Sequence, residues 1–138
     1  MEQVAERLKE KFTKEYTSKF DIDLKFGEEA EYSLANILSL GKVEVKTERD
    51  IWKRTGNIVI ELKSRGKYSG LSVTEAEWWA HILSYKGVKE GVILIPVKEL
   101  KKRVKLLVKQ GKATLTVGGD DDTSEIVLIP IKEIHGIF

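Results

Sequence analysis

The chain has no cysteine, one methionine, two prolines and two histidines among its 138 residues. Without cysteine there can be no disulfide and no thiolate metal site, which is compatible with a reducing cell interior. The histidines, His81 and His135, stand isolated, which argues against zinc chemistry of the histidine-rich kind. No apolar run approaches the roughly 20 residues needed to span a bilayer. The N-terminus reads as a charged helical pattern without the apolar stretch of a signal peptide. These absences predict a soluble, cytoplasmic (intracellular) protein with no membrane partner. An excess of one charge is also missing: 24 basic and 22 acidic residues leave a net charge of +2, too balanced to signal nucleic-acid binding by itself.

The length fits a single domain over 1–138, able to bury a core without staples. A charged fraction of 33% with few prolines fits a thermophile's surface, which would account for many of the lysines. Their distribution carries more information than their number. Lys98, Lys101, Lys102, Arg103, Lys105, Lys109 and Lys112 crowd one segment, and Lys53, Arg54, Lys63, Arg65 and Lys67 crowd another. Few aromatic residues accompany them, which favours tracking of phosphates over reading of bases.

Hydrophobic spacing predicts a helix over 3–17, a short extended linker over 20–27 and a second helix over about 28–39. Leu34, Ala35, Ile37 and Leu38 form the expected buried stripe of that second helix, and Glu31 falls on the same stripe. Strands are expected at 41–46 and 57–63, joined by a turn over 47–56. A capping-box pattern at Thr74 and Glu77 predicts a helix carrying Trp78 and Trp79, one of which should be core. A buried strand over 91–97, a basic amphipathic helix over about 98–110 with Leu100, Val104, Leu107 and Val108 inward, and strands at 113–117 and 125–129 complete the pattern. His81 reads as structural, and Asp120–Asp122 as a solvated hairpin turn. The sum is an α/β fold with one mixed sheet flanked by helices.

The two central strands carry the chemistry. Residues i and i+2 share a face of a strand, so Glu44 lies with Lys46, and Glu61 with Lys63. An antiparallel hairpin would set Glu44 beside Glu61, giving two carboxylates flanked by two ammonium groups. Hard oxygen ligands suit Mg²⁺ or Mn²⁺, and an adjacent cation steadies phosphate charge. This is the equipment of a metal-dependent nuclease. An acidic-x-lysine triplet alone means little in so charged a chain, where cross-strand ion pairs are common.

Three segments extend the argument: Gly27–Leu34 with Glu31, the strand with Glu44, and Ile60-Glu61-Leu62-Lys63-Ser64-Arg65. Together they resemble the PD-(D/E)xK nuclease superfamily, in particular small archaeal Holliday-junction resolvases and related phage and viral nucleases, over about residues 27–100. The resemblance implies a restriction-endonuclease-like mixed sheet flanked by helices, with Glu44, Glu61 and Glu31 as metal ligands. Glu31, Glu44, Lys46, Glu61 and Lys63 become the candidate catalytic residues. It also implies a DNA endonuclease acting in recombination or repair, with a branched-DNA resolvase as the favoured subtype. A homodimer is expected, since a junction presents two symmetry-related strands. The chain has no Pro-Asp dipeptide before the second strand, and two assignments stay open. Lys63 is the slightly preferred acting lysine, whereas Glu44-Val45-Lys46 as the acidic-x-lysine strand would make it Lys46.

Arg54, Thr55, Asn57, Arg65, Lys67 and Ser69 are the expected DNA contacts; Thr55–Asn57 and Ser69-Gly70 are in the first place turn chemistry. The competing reading is a non-catalytic nucleic-acid-binding module on the same fold.

Overall fold

A computed structural model describes residues 24–39 and 42–134, and the chain divides into two compact units, 1–41 and 42–138. Within the first unit, residues 24–39 form helix α1. It therefore begins earlier than expected, and 24–27 are helical where an extended linker was anticipated. Leu34 and Leu38, expected on a buried stripe, are exposed, as is Glu31. The expected helix over 3–17 lies outside the described residues.

The second unit is mixed α/β. It runs β1 (Val43–Arg49), α2 (Ile51–Thr55), β2 (Asn57–Ser64), β3 (Lys67–Tyr68), β4 (Trp78–Tyr85), β5 (Val88–Pro96), α3 (Val97–Lys109), β6 (Thr114–Gly118) and β7 (Ser124–Pro130), with short 3-10 turns at Gly70–Ser72 and Ile131–Glu133. Two sheets result, where one was expected. A mixed three-stranded sheet has the order β1-β4-β5, with β1 parallel to β4 and β4 antiparallel to β5; an antiparallel four-stranded sheet has the order β3-β2-β7-β6.

The expected β1–β2 hairpin does not form. Residues 51–55 coil into α2, and two contacts fasten that segment to the end of β4. The Trp52 indole N–H donates to the Ser84 carbonyl at 2.7 Å, and the Asp50 carboxylate accepts from the Lys86 amide at 2.7 Å. The chain leaving β1 is thereby turned away, and β1 and β2 enter different sheets.

The expected helix around Trp78 and Trp79 is strand β4. Its sequence, Trp-Trp-Ala-His-Ile-Leu-Ser-Tyr, is rich in aromatic residues suited to a pleated surface. Lys86 and Gly87, at φ 48° and 77°, make the two-residue left-handed turn that joins it to β5. Neighbours on a strand face opposite ways, so Trp79 is buried at 1% exposure and Trp78 only partly.

The basic helix and the last hairpin follow expectation. Val97, Leu100, Val104 and Leu107 of α3 are buried at helical spacing. They pack with Ile58 and Ile60 of β2, Val127 and Ile129 of β7, Trp79 and Ile95 into one core. Ile60 and Val127 are cross-strand partners, as are Ile58 and Ile129, so one face of the four-stranded sheet supplies this core. Asp120–Asp122 lie in the turn between β6 and β7.

Candidate active site

Glu44, Lys46 and Glu48 alternate along β1 and share a face. The register with β4 sets Glu44 opposite Trp79 and Lys46 opposite His81. On the four-stranded sheet, Val59, Glu61, Ser124 and Ile126 occupy the face turned away from the α3 core. Lys46, Glu48, Glu61, Trp79, His81 and Ser124 together line a cavity of about 300 Å³. Glu48 of β1 and Glu61 of β2 thus line one cavity without a hairpin between their strands, and Glu44 is not among its lining residues.

Each carboxylate is held by named partners. Glu44 lies 2.8 Å from the Lys46 ammonium and accepts a hydrogen bond from the Thr74 hydroxyl. Burial pushes its carboxyl up, but the hydrogen bonds from Lys46 and Thr74 and the Lys46 charge outweigh burial and hold it below the usual 4.5. Thr74, expected to cap a helix, is instead committed to Glu44 and to the Ala76 amide. Glu61 accepts from the Ser69 hydroxyl at 2.7 Å and from the Ser124 hydroxyl at 3.3 Å. Gly70, at φ +52°, packs its Cα against the Glu61 main chain so closely that a Cβ would collide with the Glu61 carbonyl.

Beneath these residues runs a buried polar chain. The Trp79 indole N–H donates to His81 Nδ1 at 3.0 Å, and His81 Nε2 lies 2.8 Å from Glu48 Oε1. An indole nitrogen only donates, so Nδ1 is the acceptor and the ring proton sits on Nε2, directed at Glu48. The same Glu48 oxygen accepts the Val59 amide N–H at 2.5 Å. Strand β3 pairs with β2 only at Lys63 and Ser64, which leaves the Val59 donor facing away from β7 without a strand partner. Glu48 supplies the acceptor that the ladder does not. One carboxylate on β1 is thereby bonded to β4 and to β2, fastening one sheet to the other.

Lys63 is placed elsewhere. Glu61 pairs with Ile126 and Lys63 with Glu125, so Leu62 is an extra residue in a β-bulge. The bulge reverses the alternation, and Glu61 and Lys63 point to opposite faces, contrary to the i, i+2 expectation. Lys63 lies 3.4 Å from Glu125 and over the Tyr68 ring at 5.0 Å, whereas Lys46 lies in the cavity with Glu61.

The expected DNA contacts are spread along β2. Arg54, Thr55 and Asn57 flank its first end and Arg65 and Lys67 its last, a strand's length of roughly 20–25 Å. Thr55 bonds the Ile51 carbonyl within α2, and Arg65 lies 3.8 Å from Asp121. Ser69 is joined to Glu61 itself. Glu31 is on α1, in the first unit. Glu48, Thr74 and Ser124 are not among the site residues expected from sequence. Glu48 had a legible signal, the continuation of the same strand face two residues beyond Lys46; Thr74 and Ser124 reach the acids only through tertiary structure.

Among the described residues no three His, Asp or Glu side chains converge as a ready metal cage. The cavity offers the Glu48 and Glu61 carboxylates from the two sheets, with the Ser124 hydroxyl and the Lys46 ammonium beside them, and Glu44 adjoins it through its ion pair with Lys46. That suits an ion such as Mg²⁺, which is commonly held by one or two carboxylates and keeps several waters. Among the described residues no helix is long and apolar enough to cross a membrane. Comparison of the chain with protein-family models, curated proteins and solved structures returned no match.

Proposed function

We propose that the chain is a metal-dependent phosphodiester hydrolase of the PD-(D/E)xK kind. The observation that carries this reading is the cavity shared by Lys46 and Glu61, with Glu44 ion-paired to Lys46. Its substrate is DNA, and branched DNA cut by a homodimer is the favoured form, supported by the basic residues along β2 and α3.

Glu44 and Glu61 are the residues that would hold Mg²⁺ or Mn²⁺. The chemistry supplied by a bound ion is polarisation of the scissile phosphate and a lowered pKa for water. Glu44 is suited to this role because, against burial, the Lys46 and Thr74 hydrogen bonds and the Lys46 charge hold its carboxyl below the usual 4.5. The Ser69 and Ser124 hydroxyls fix the direction of the Glu61 carboxylate. Lys46, which lines the cavity with Glu61, would present its ammonium to the phosphate and offset the charge that grows in the transition state. Lys63, committed to Glu125 on the other face, serves binding and not the chemical step.

The test is cleavage of duplex, flap, single-stranded and four-way-junction DNA in Mn²⁺ by wild type, Glu44→Gln and Glu61→Gln. Wild type should cut and both variants should be inactive while folded. Equal cleavage by all three would reject the reading. Glu44 and Glu61 are each already engaged by an ammonium or hydroxyls, and this observation favours the second reading, a non-catalytic DNA-binding module. Metal-independent binding without cleavage of any substrate would support that module.

A further inference from the structure

On the opposite side of β2 from the acidic cavity lies a second hollow, of about 430 Å³. Leu62, which follows Ile58 and Ile60 on the core face of β2, forms an apolar floor with Leu71 and Val104. Tyr68 forms one wall and is 69% exposed, with the Lys63 ammonium over its ring at 5.0 Å. Lys101 and Lys105 stand at the other wall, one turn apart on α3. Neither has a carboxylate partner among the described residues, and no carboxylate lines the hollow. Glu125, the cross-strand neighbour of Lys63, is ion-paired with it, and the same ammonium rests on the Tyr68 ring.

An apolar floor, an exposed aromatic face and two uncompensated cations call for a ligand with a flat apolar body and anionic groups beside it. We propose that this hollow captures an unpaired nucleobase of a DNA strand, stacked on Tyr68, with the adjoining phosphates held by Lys101 and Lys105. Base–aromatic stacking tolerates any sequence and requires a base freed from its duplex. The geometry connects the hollow to the acidic cavity through consecutive residues at the sheet edge: Tyr68 lines the hollow, and Ser69 bonds Glu61. A strand passing over β3 would place an unpaired base on one side and a phosphodiester on the other. This deepens the nuclease reading and rests on it only for the link to cleavage; it selects DNA with unpaired nucleotides at the branch over continuous duplex.

Binding is measured on the full chain in EDTA, so that no cleavage intervenes, by anisotropy of a fluorescein-labelled oligothymidylate and of a hairpin duplex. Tyr68→Ala should weaken single-strand binding about 10- to 100-fold and leave duplex binding within about twofold, while Tyr68→Phe retains wild-type affinity. Lys101→Ala and Lys105→Ala should each lower the slope of log affinity against log salt for the single strand by about 0.7. No effect of Tyr68→Ala, or equal loss on both probes, would overturn the proposal. So would displacement of the oligonucleotide by an acidic leucine-rich peptide whose own binding depends on Tyr68, since the hollow would then be a protein-docking site. Absence of cleavage by wild type in Mn²⁺ with Tyr68-dependent binding intact therefore rejects the nuclease reading alone, and cleavage without Tyr68-dependent binding rejects the base pocket alone.

Discussion

Removing the Glu48 carboxylate should loosen the molecule at the seam between its sheets. In Glu48→Ala the His81 Nε2–H, on a residue only 1% exposed, loses its acceptor, and so does the Val59 amide. A buried donor left without a partner costs about 1–3 kcal/mol. Val59 is partly open to water, so its amide contributes less than the full amount. The sum is about 2–4 kcal/mol, a large share of the roughly 5–15 kcal/mol that holds a typical domain folded. For a chain of this length that corresponds to a fall in Tm of roughly 6–15 °C. Urea unfolding followed by tryptophan fluorescence measures it directly, because Trp79 itself is in the chain of bonds. His81→Ala should cost a similar amount, and the double variant should cost less than the two added together by about 1–3 kcal/mol. Additivity within about 0.5 kcal/mol, or a Glu48→Ala protein as stable as wild type, would refute the clasp.

Lys46→Ala should lower turnover by on the order of 10²-fold or more, the range for a lost electrostatic contributor, while Lys63→Ala leaves turnover nearly unchanged and weakens DNA binding in a salt-dependent way. Steady-state kinetics on both variants decides between them, and a larger turnover loss for Lys63→Ala would reverse the assignment. Gly70→Ala forces an alanine to φ +52° and drives its Cβ into the Glu61 carbonyl. It should cost about 1–3 kcal/mol from left-handed strain plus displacement of the bulge, and cleavage should fall further than the stability loss explains. A stable, fully active Gly70→Ala protein would contradict the close approach. The folded carboxyl of Glu44 titrates below its ordinary value, so its contribution to stability is present above about pH 4.5 and is lost as pH falls through the lower folded value. The stability difference between wild type and Glu44→Gln, measured from neutral to acid pH, should shrink in that direction; a difference that grew toward acid pH would have the wrong sign.

Sequence carried the local patterns and missed their partners. The inward face of α3 and the β6–β7 hairpin were legible because period and turn residues fall within one short segment. That Lys46 and Glu61 stand on two strands was legible, and the structure sets both in one cavity. The pairing of β1 with β4 was not, since parallel pairing joins residues some 35 positions apart (Glu44 with Trp79) and leaves no local sign. A capping-box pattern at Thr74 misled because the same hydroxyl can cap a helix or bind a distant carboxylate, and here Glu44 takes it. The bulge at Leu62 reversed the face of Lys63, and a period-2 reading has no means of registering one extra residue. His81, expected within a helix, is a buried residue of β4, and its link to Glu48 between the sheets depends on contacts that no spacing rule contains.

The central claim is that Glu44 of β1 and Glu61 of β2 converge on one divalent cation. Diffraction from crystals soaked in Mn²⁺, recorded at the manganese absorption edge, tests it without reference to substrate. The account predicts one anomalous peak within coordinating distance of both carboxylates, with Lys46 displaced from Glu44 toward the cavity. A protein that cleaves DNA in Mn²⁺ yet shows its anomalous peak away from these two residues would contradict it.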